Sequence, residues 1–511
     1  MQSSPFLAKL RTTFHPSSAE ASQIQEIILG CEANLDQITV KITRAQEVVN
    51  QSCPETNERA RLMNQLRLDQ DETRTFLEAH RSLLSPVRRL PPEMLAKIFM
   101  HCLPHDKFIK PAWLQAPLLL GQICAVWRNV AFSTPRLWSS LDMDPGITDK
   151  NRVMLVETWL SRTGMCPLSL SLRRLVGLED PILNAFSRYA LRWQHILLTL
   201  PHWKDLTLPL GHLLHLETFQ LHTPDGISES QTQQLSVVLR SAPRLREMAW
   251  DNNTGIQGSR IELPWAQLNS LILTMPLSVS RCLDILYQSQ NLEHFSWEGE
   301  MLSSNLPHFQ HAILLPRLSS LTIPSEQSLH FLDHLTCPVL REITFCSQTP
   351  QLDNWSQLSF LSLLGRSRCA LERLHIHYAS ISELELIECL QRTNTSLVEL
   401  TVQTWGAVIA TDNFLTILTH QHSNNTPSVC LSPKLEMLAL YDCISPSEGA
   451  FAKMVESRLR CRGGGSCPIH STSLKVVETF NDHVDIPRLK EFRKEGLTLK
   501  LYHHNGDLLD E

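Results

Sequence analysis

At 511 residues the chain is too long for one ordinary hydrophobic core, and length alone implies roughly two to four domains. A formal charge of -6 with 19% charged residues excludes the global basic field that draws in a phosphate backbone, so nucleic acid is not an expected partner. The 42% hydrophobic fraction fits a folded soluble protein, no run of about 18 uncharged apolar residues suggests a membrane span, and no apolar signal-like core follows Met1.

Residues 1–22 mix Ser, Pro and Thr with little apolar period and read as a disordered tail. Residues 23–85 read as a helical hairpin of coiled-coil character. Ile28, Leu35, Ile42 and Val49 fall seven apart, with Cys31, Ile38 and Ala45 three residues after the first three. Ser52, Pro54 and Glu55 carry the stop of one helix and the capping signal of the next. A second stripe follows through Leu62, Leu66, Thr73, Leu77, His80 and Leu84. The seam is short, which leaves open both packing within one chain and self-association through these helices.

Residues 86–141 hold two short amphipathic helical patterns. In the first, Pro91 and Pro92 suit a helix start, where a missing N–H costs nothing, and Glu93 favours the first turn through the helix dipole. Met94, Leu95, Ile98, Phe99, Cys102 and Leu103 then recur at helical spacing. Leu118, Gln122, Ile123, Val126, Trp127 and Val130 do the same in the second, with Pro135 beyond its end. A fragment of this size cannot bury so many large apolar side chains by itself, so some of them are expected to face a partner.

LPPEMLAKIF from Leu90, followed by Val126, Trp127 and Arg128, resembles an F-box, the helical module that docks on the Skp adaptor of cullin-type ubiquitin ligases. The resemblance covers about a tenth of the chain. It implies a Skp-facing surface made of Leu90, Pro91, Pro92, Ile98, Phe99, Val126, Trp127 and Arg128. The insert His105 to Pro117 departs from that pattern. With the run STPRLWSSL after the V-W-R segment, the likeness is nearest to the F-box receptors of mushroom-forming fungi, the basidiomycete type.

From residue 142 to 511 the chain repeats L-x-x-L-x-L. Units start at Leu216, Leu245, Leu268, Leu292, Leu318, Leu340, Leu371, Leu397 and Leu435, at intervals of 22 to 38 residues. An earlier copy stands at Trp193, Ile196 and Leu198, and Leu168 to Leu172 looks like an opening strand. Helical stretches begin at Ser278, Ser382 and Ser447. One short strand alternating with one helix predicts an α/β solenoid with parallel strands on one wall. This resembles an irregular leucine-rich repeat domain, since the Asn or Cys expected eight residues after each first leucine occurs only as Asn253 and Cys443.

Catalytic constellations are not legible: no phosphate-binding loop, nucleophile elbow or zinc-binding H-E-x-x-H helix occurs. The 14 cysteines are scattered singly, without C-x-x-C pairs, and read as reduced thiols of an intracellular, cytoplasmic and/or nuclear protein. Cys282, Cys337, Cys389 and Cys430 sit in apolar surroundings suited to core. Cys461, Cys467 and His470 are three ligand types at the wrong spacing for closed zinc, so neither metal nor cofactor is expected.

In each L-x-x-L-x-L unit the third and fifth residues face away from the core, because neighbours in a strand alternate faces. Those rows bring Glu247, His294, Glu342, Arg373, His375 and Glu399 onto one wall, mildly acidic and suited to a protein segment. The resemblances together imply a non-catalytic receptor: the F-box docks on a Skp-family adaptor and through it a cullin, while the repeats present an as yet unnamed protein substrate. The alternative is a repeat scaffold that assembles through its helical part without serving a ligase.

Overall fold

The computed structural model describes residues 4–10, 12, 14–51, 57–143, 150–173, 181–200, 213–252, 262–299, 301–302, 312–324, 331–347, 355–420, 430–459, 471–475 and 484–502. They fall into two compact units, Met1–Met143 with Asp149–Ser169, and Asp144–Thr148 with Leu170–Glu511. The fold class is mixed α/β. No helix among the described residues is long and apolar enough to cross a membrane.

In the first unit, α1 (Ser18–Gln51) and α2 (Asn57–Leu84) form an intramolecular hairpin. Ile24, Ile28 and Cys31 of α1 close on Leu77 and Leu83 of α2. The expected stripe holds at Thr73, Leu77 and His80, all buried, but Leu62 is exposed, so the seam closes only toward the open end of the hairpin. The Ser52 to Glu55 cap lies outside the described residues.

The expected disordered tail is corrected in part. α1 starts at Ser18, and Phe6 is buried within the hairpin core. Burying one aromatic side chain contributes about 1.5–3 kcal/mol, which offsets ordering of the segment around it. Polar contacts add to this. His80 Nε2 meets Ser4 Oγ at 2.8 Å, and Lys9 Nζ reaches Glu20 at 3.1 Å and lies 4.1 Å over the Phe14 ring. Hydrogen bonds from the amide and hydroxyl of Ser17, followed by Lys9, hold the Glu20 carboxyl down at about 2.

Three short helices follow: α3 (Pro92–His101), α4 (Leu120–Ile123) and α5 (Ala125–Phe132). Leu95 and Phe99, one turn apart on α3, point inward, and the Phe99 ring lies 4.8 Å from that of Trp127 on α5. The insert His105 to Pro117 is anchored through Ile109, whose N–H donates to Ser140 Oγ at 3.0 Å and whose carbonyl accepts from Asp142 N–H at 2.8 Å. The sequence boundary at 142 is too early. α6 (Lys150–Ser161) belongs to the helical unit: Trp159 stacks edge-on to Trp138 at 4.8 Å and donates its indole N–H to the Trp138 carbonyl, and Arg162 covers the Trp138 ring.

In the second unit the L-x-x-L-x-L leucines do what their spacing predicts. Every first-position leucine from Leu216 to Leu435 is buried, and each starts a turn into a strand whose alternate residues are also buried. The strands run in parallel, each paired with the next in chain order, from Trp193–Thr199 and Thr218–His222 to Met437–Tyr441, Ser471–Lys475 and Thr498–Tyr502. Matching repeat positions are in register, as in Glu342↔Arg373↔Glu399↔Met437. The result is an in-order parallel sheet of solenoid-like connectivity.

Helices form where a serine precedes an apolar stripe. Ser382 caps Glu383–Arg392 reciprocally with Glu385, Ser228 caps Glu229–Arg240 with Gln231, and Ser278 caps Val279–Gln288. Alternation of strand and helix is nevertheless not uniform. The two-residue strand Ile313–Leu314 pairs instead with Leu335–Thr336. Asn253 lies outside the described residues, and other groups satisfy the turns that a side-chain ladder would serve. Trp297 Nε1 donates to Met275 O at 3.1 Å and Thr404 Oγ1 to Asp442 O at 2.7 Å. Beside the first of these, Gly299 is obligatory, because a Cβ there would collide with the Met275 carbonyl.

Carboxylates also cap helices of neighbouring repeats. Glu383 Oε1 accepts from Thr411 N–H, Thr411 Oγ1 and Phe414 N–H at the start of the helix Asp412–Leu418. Asp412 accepts from Ser447 N–H at 2.7 Å, and Ser447 holds the Asp412 carboxyl below its usual range. Asp485 accepts from Gly449 and Ala452 N–H at the start of Ala450–Leu459.

Candidate functional site

The helical unit carries an apolar face that its own core does not use. α3 begins at two prolines, which bring no N–H to leave unsatisfied, and its 3.6-residue period then splits the apolar side chains between two faces. Leu95 and Phe99 face the core. Met94 and Ile98, also four apart, are 46% and 41% exposed, and Pro91 and Pro92 are exposed beside them. From α4, Ile123 is 55% exposed.

Of the eight residues expected on this surface, Pro91, Pro92 and Ile98 are exposed and Leu90, Val126 and Trp127 are half-buried. Arg128 is exposed, but its Nε donates to the Gly121 carbonyl at 2.7 Å, so it also ties α5 to α4. Phe99 is the correction. It is wholly buried, because its ring is needed to fill the space beside Trp127, and it cannot be a partner-facing residue in this conformation.

Met94 was part of the predicted apolar period without being singled out, and Ile123 likewise. Trp113 and Leu114, 71% and 83% exposed, stand in the segment His105 to Pro117. No periodicity marks them, and only their size in a polar, proline-bounded loop would have drawn notice. At the start of α3, Leu90, Pro91, Pro92, Leu95, Val126 and Trp127 line a cavity of about 240 Å³. Cys124 also borders it, its Sγ accepting the Trp127 N–H as the cap of α5.

On the repeat unit, the expected wall residues are brought together. Register aligns Glu247, His294, Glu342, Arg373 and Glu399 in one row, with His375 in the adjacent row beside Thr344 and Thr401. Several charges are already matched. Arg373 Nε and one terminal nitrogen donate to Glu342 Oε2 at 3.1 Å, His375 Nε2 lies 3.9 Å from Glu399, and Glu247 accepts from Thr218 Oγ1 at 3.0 Å. These partly exposed contacts contribute modestly to stability, and among them Arg373 offsets the charge of Glu342.

The rings of His375 and His377 lie nearly parallel with centroids 6.3 Å apart, as residues two apart on one strand face should. Burial depresses the basicity of His377, with the Gln403 hydrogen bond acting against it and His375 adding to it. Past the strand end, Tyr378 adopts a left-handed φ of 62° and stacks on half-exposed Trp405 at 4.2 Å. The Gln403 amide reaches Tyr378 Oη at 2.6 Å. The L-x-x-L-x-L pattern marks none of these aromatic residues, because both lie beyond its last position.

The thiols behave as core. Cys282, Cys337, Cys389 and Cys430 are buried, and desolvation pushes the first three up, Cys337 to about 12, which keeps the nucleophilic thiolate scarce. Cys461, Cys467 and His470 lie outside the described residues. Among the described residues no group of three or more His, Cys, Asp or Glu is placed to hold a metal. No known protein-family model and no curated protein matches this chain.

Proposed function

We propose that the chain is the substrate-recognition subunit of a Skp-cullin-F-box ubiquitin ligase, residues 86–141 of its helical unit serving as the F-box and its second unit as an irregular leucine-rich repeat domain. The observation that carries this reading is the unused apolar face of Met94, Ile98 and Ile123 beside exposed Pro91 and Pro92, on the very segment that resembles an F-box. A folded monomer gains nothing from leaving those side chains in water, whereas burying each in an interface would contribute about 1.5–3 kcal/mol. The remaining neighbours, Leu95 and Phe99, already fill the unit's own core, so the exposed set is free for a partner.

In this reading the protein performs no bond chemistry. It raises the effective concentration of a bound protein near a ubiquitin carrier held by the cullin, and the repeat wall from Glu247 to Glu399 holds the target. Polar side chains in register suit a peptide or protein segment, which they would recognise by hydrogen bonds and matched charge. Intracellular placement, cytoplasmic or nuclear, goes with such a role.

Co-expression with a Skp-family adaptor tests the reading. The wild-type chain should co-purify with the adaptor at equal stoichiometry, and Met94→Asp with Ile98→Asp should abolish the complex while leaving the circular dichroism spectrum unchanged. Absence of a complex with the wild-type chain, or an undiminished complex with the double variant, would overturn it.

A further inference from the structure

The cavity at the start of α3 has a second wall that does not come from the F-box-like segment. Thr12, Phe14 and His15 of the N-terminal arm close it opposite Leu90, Pro91 and Trp127. We propose that this arm is a working part of the docking site, and that the cavity takes one large apolar side chain presented on an acidic segment of the adaptor; the inference rests on the ligase-receptor reading above.

Size argues for a side chain. At about 240 Å³ the cavity falls below the roughly 300–1,000 Å³ usual for small-molecule sites, and its floor of proline, leucine and aromatic surface suits the buried anchor on which interfaces concentrate their affinity.

Charge argues for the acidity of the segment that carries the anchor. Arg88, Arg89 and His15 border the cavity, and no carboxylate is among its lining residues. Arg88 directs its guanidinium to main-chain carbonyls, Leu10 at 2.7 Å and Thr12 at 3.3 Å, so its hydrogen bonds hold the arm without cancelling its charge. A partner bringing Asp or Glu to this rim gains attraction, and a basic one is repelled.

The arm is also fixed in place before any partner arrives. Phe6 is sunk in the hairpin core, and Lys9 bridges Glu20 and the Phe14 ring. A wall ordered in advance spares the interface the entropy of ordering it on binding.

The test titrates the full chain with a purified Skp-family adaptor by calorimetry, at low and high salt. Phe14→Asp should weaken binding at least about tenfold, as loss of an anchor contact does. Arg89→Glu, at an exposed rim position, should weaken it several-fold and flatten the salt dependence. Thermal melts identify a Phe14→Asp protein that has lost its fold, and Arg89→Glu then decides. If the wild-type chain binds and both variants stay within twofold of it, the arm is not part of the site and the inference falls while the receptor reading stands. If the wild-type chain does not bind, both fall. Phe14-dependent dimerisation without adaptor binding would assign the cavity to a second copy of this chain and overturn the proposal.

Discussion

The helical unit and the repeat unit place their apolar side chains by different rules. In the repeat unit a two-residue alternation, held in register by parallel pairing, sends Leu374 and Ile376 inward and Arg373, His375 and His377 outward; one strand away Leu400 and Val402 are buried likewise, with Thr401 between them buried as well. The core closes and the outward rows are largely polar, with Ile272 the exposed apolar exception at 40%. In the helical unit α3 distributes apolar residues round most of its circumference, so Leu95 and Phe99 fill the core while Met94 and Ile98 stay in water. A closed core with a polar wall can discriminate among partners by arrangement of charge, whereas an open apolar face is suited to one durable partner.

The most severe test of that contrast compares neighbours on α3. Phe99→Ala should lower the unfolding free energy of the helical unit, read from denaturant titration, by about 3–5 kcal/mol, while Ile98→Ser should stay within about 0.5 kcal/mol. Similar losses at both positions would show that the division into inner and outer faces is wrong.

A smaller effect is expected in the repeat unit at a helix start. Ser382→Ala removes the side chain that accepts the Glu385 N–H and should lower stability by about 1 kcal/mol. Amide hydrogen exchange should show the loss concentrated in Glu383–Arg392; a loss spread evenly over all repeats would mean that the helices do not open individually.

The smallest effect is one of pH. Burial lowers the pKa of His377 in the folded state below 6.5, so the unfolded chain binds the proton more readily. The stability contributed by keeping His377 neutral is therefore present above pH 6.5 and declines as pH falls through that value. Unfolding midpoints measured from pH 7.5 to 5 should fall for the wild type and fall less for His377→Asn. Equal slopes would place the titration elsewhere.

The legible parts of the sequence were those with a period. Leucine spacing located the strands and the burial of each first leucine, and the serines that open SELELIECLQR and SVSRCLDILYQSQ marked helix starts, because both signals act over a few residues. Among the residues expected to face a partner, Pro91, Pro92 and Ile98 are exposed and Phe99 is buried, since helical spacing tells which residues are apolar without telling which of two apolar faces the core will claim. The arm was missed for a similar reason: Phe6 gains its place through contacts with α1 and α2 far along the chain, and no local pattern announces that. Tyr378 and Trp405 meet only after the strands are paired.

The carboxylates that cap a neighbour's helix set a limit on how this repeat unit can be rearranged. Glu383 belongs to one repeat and serves the next, Asp412 passes the same service on, and Asp485 returns it to the repeat before. Cutting out or duplicating a single repeat between residues 383 and 485 would leave a helix start without its acceptor and strand a carboxylate beside nothing. Such segments are exchangeable only as a block, so in this stretch the natural module for recombination is longer than one repeat.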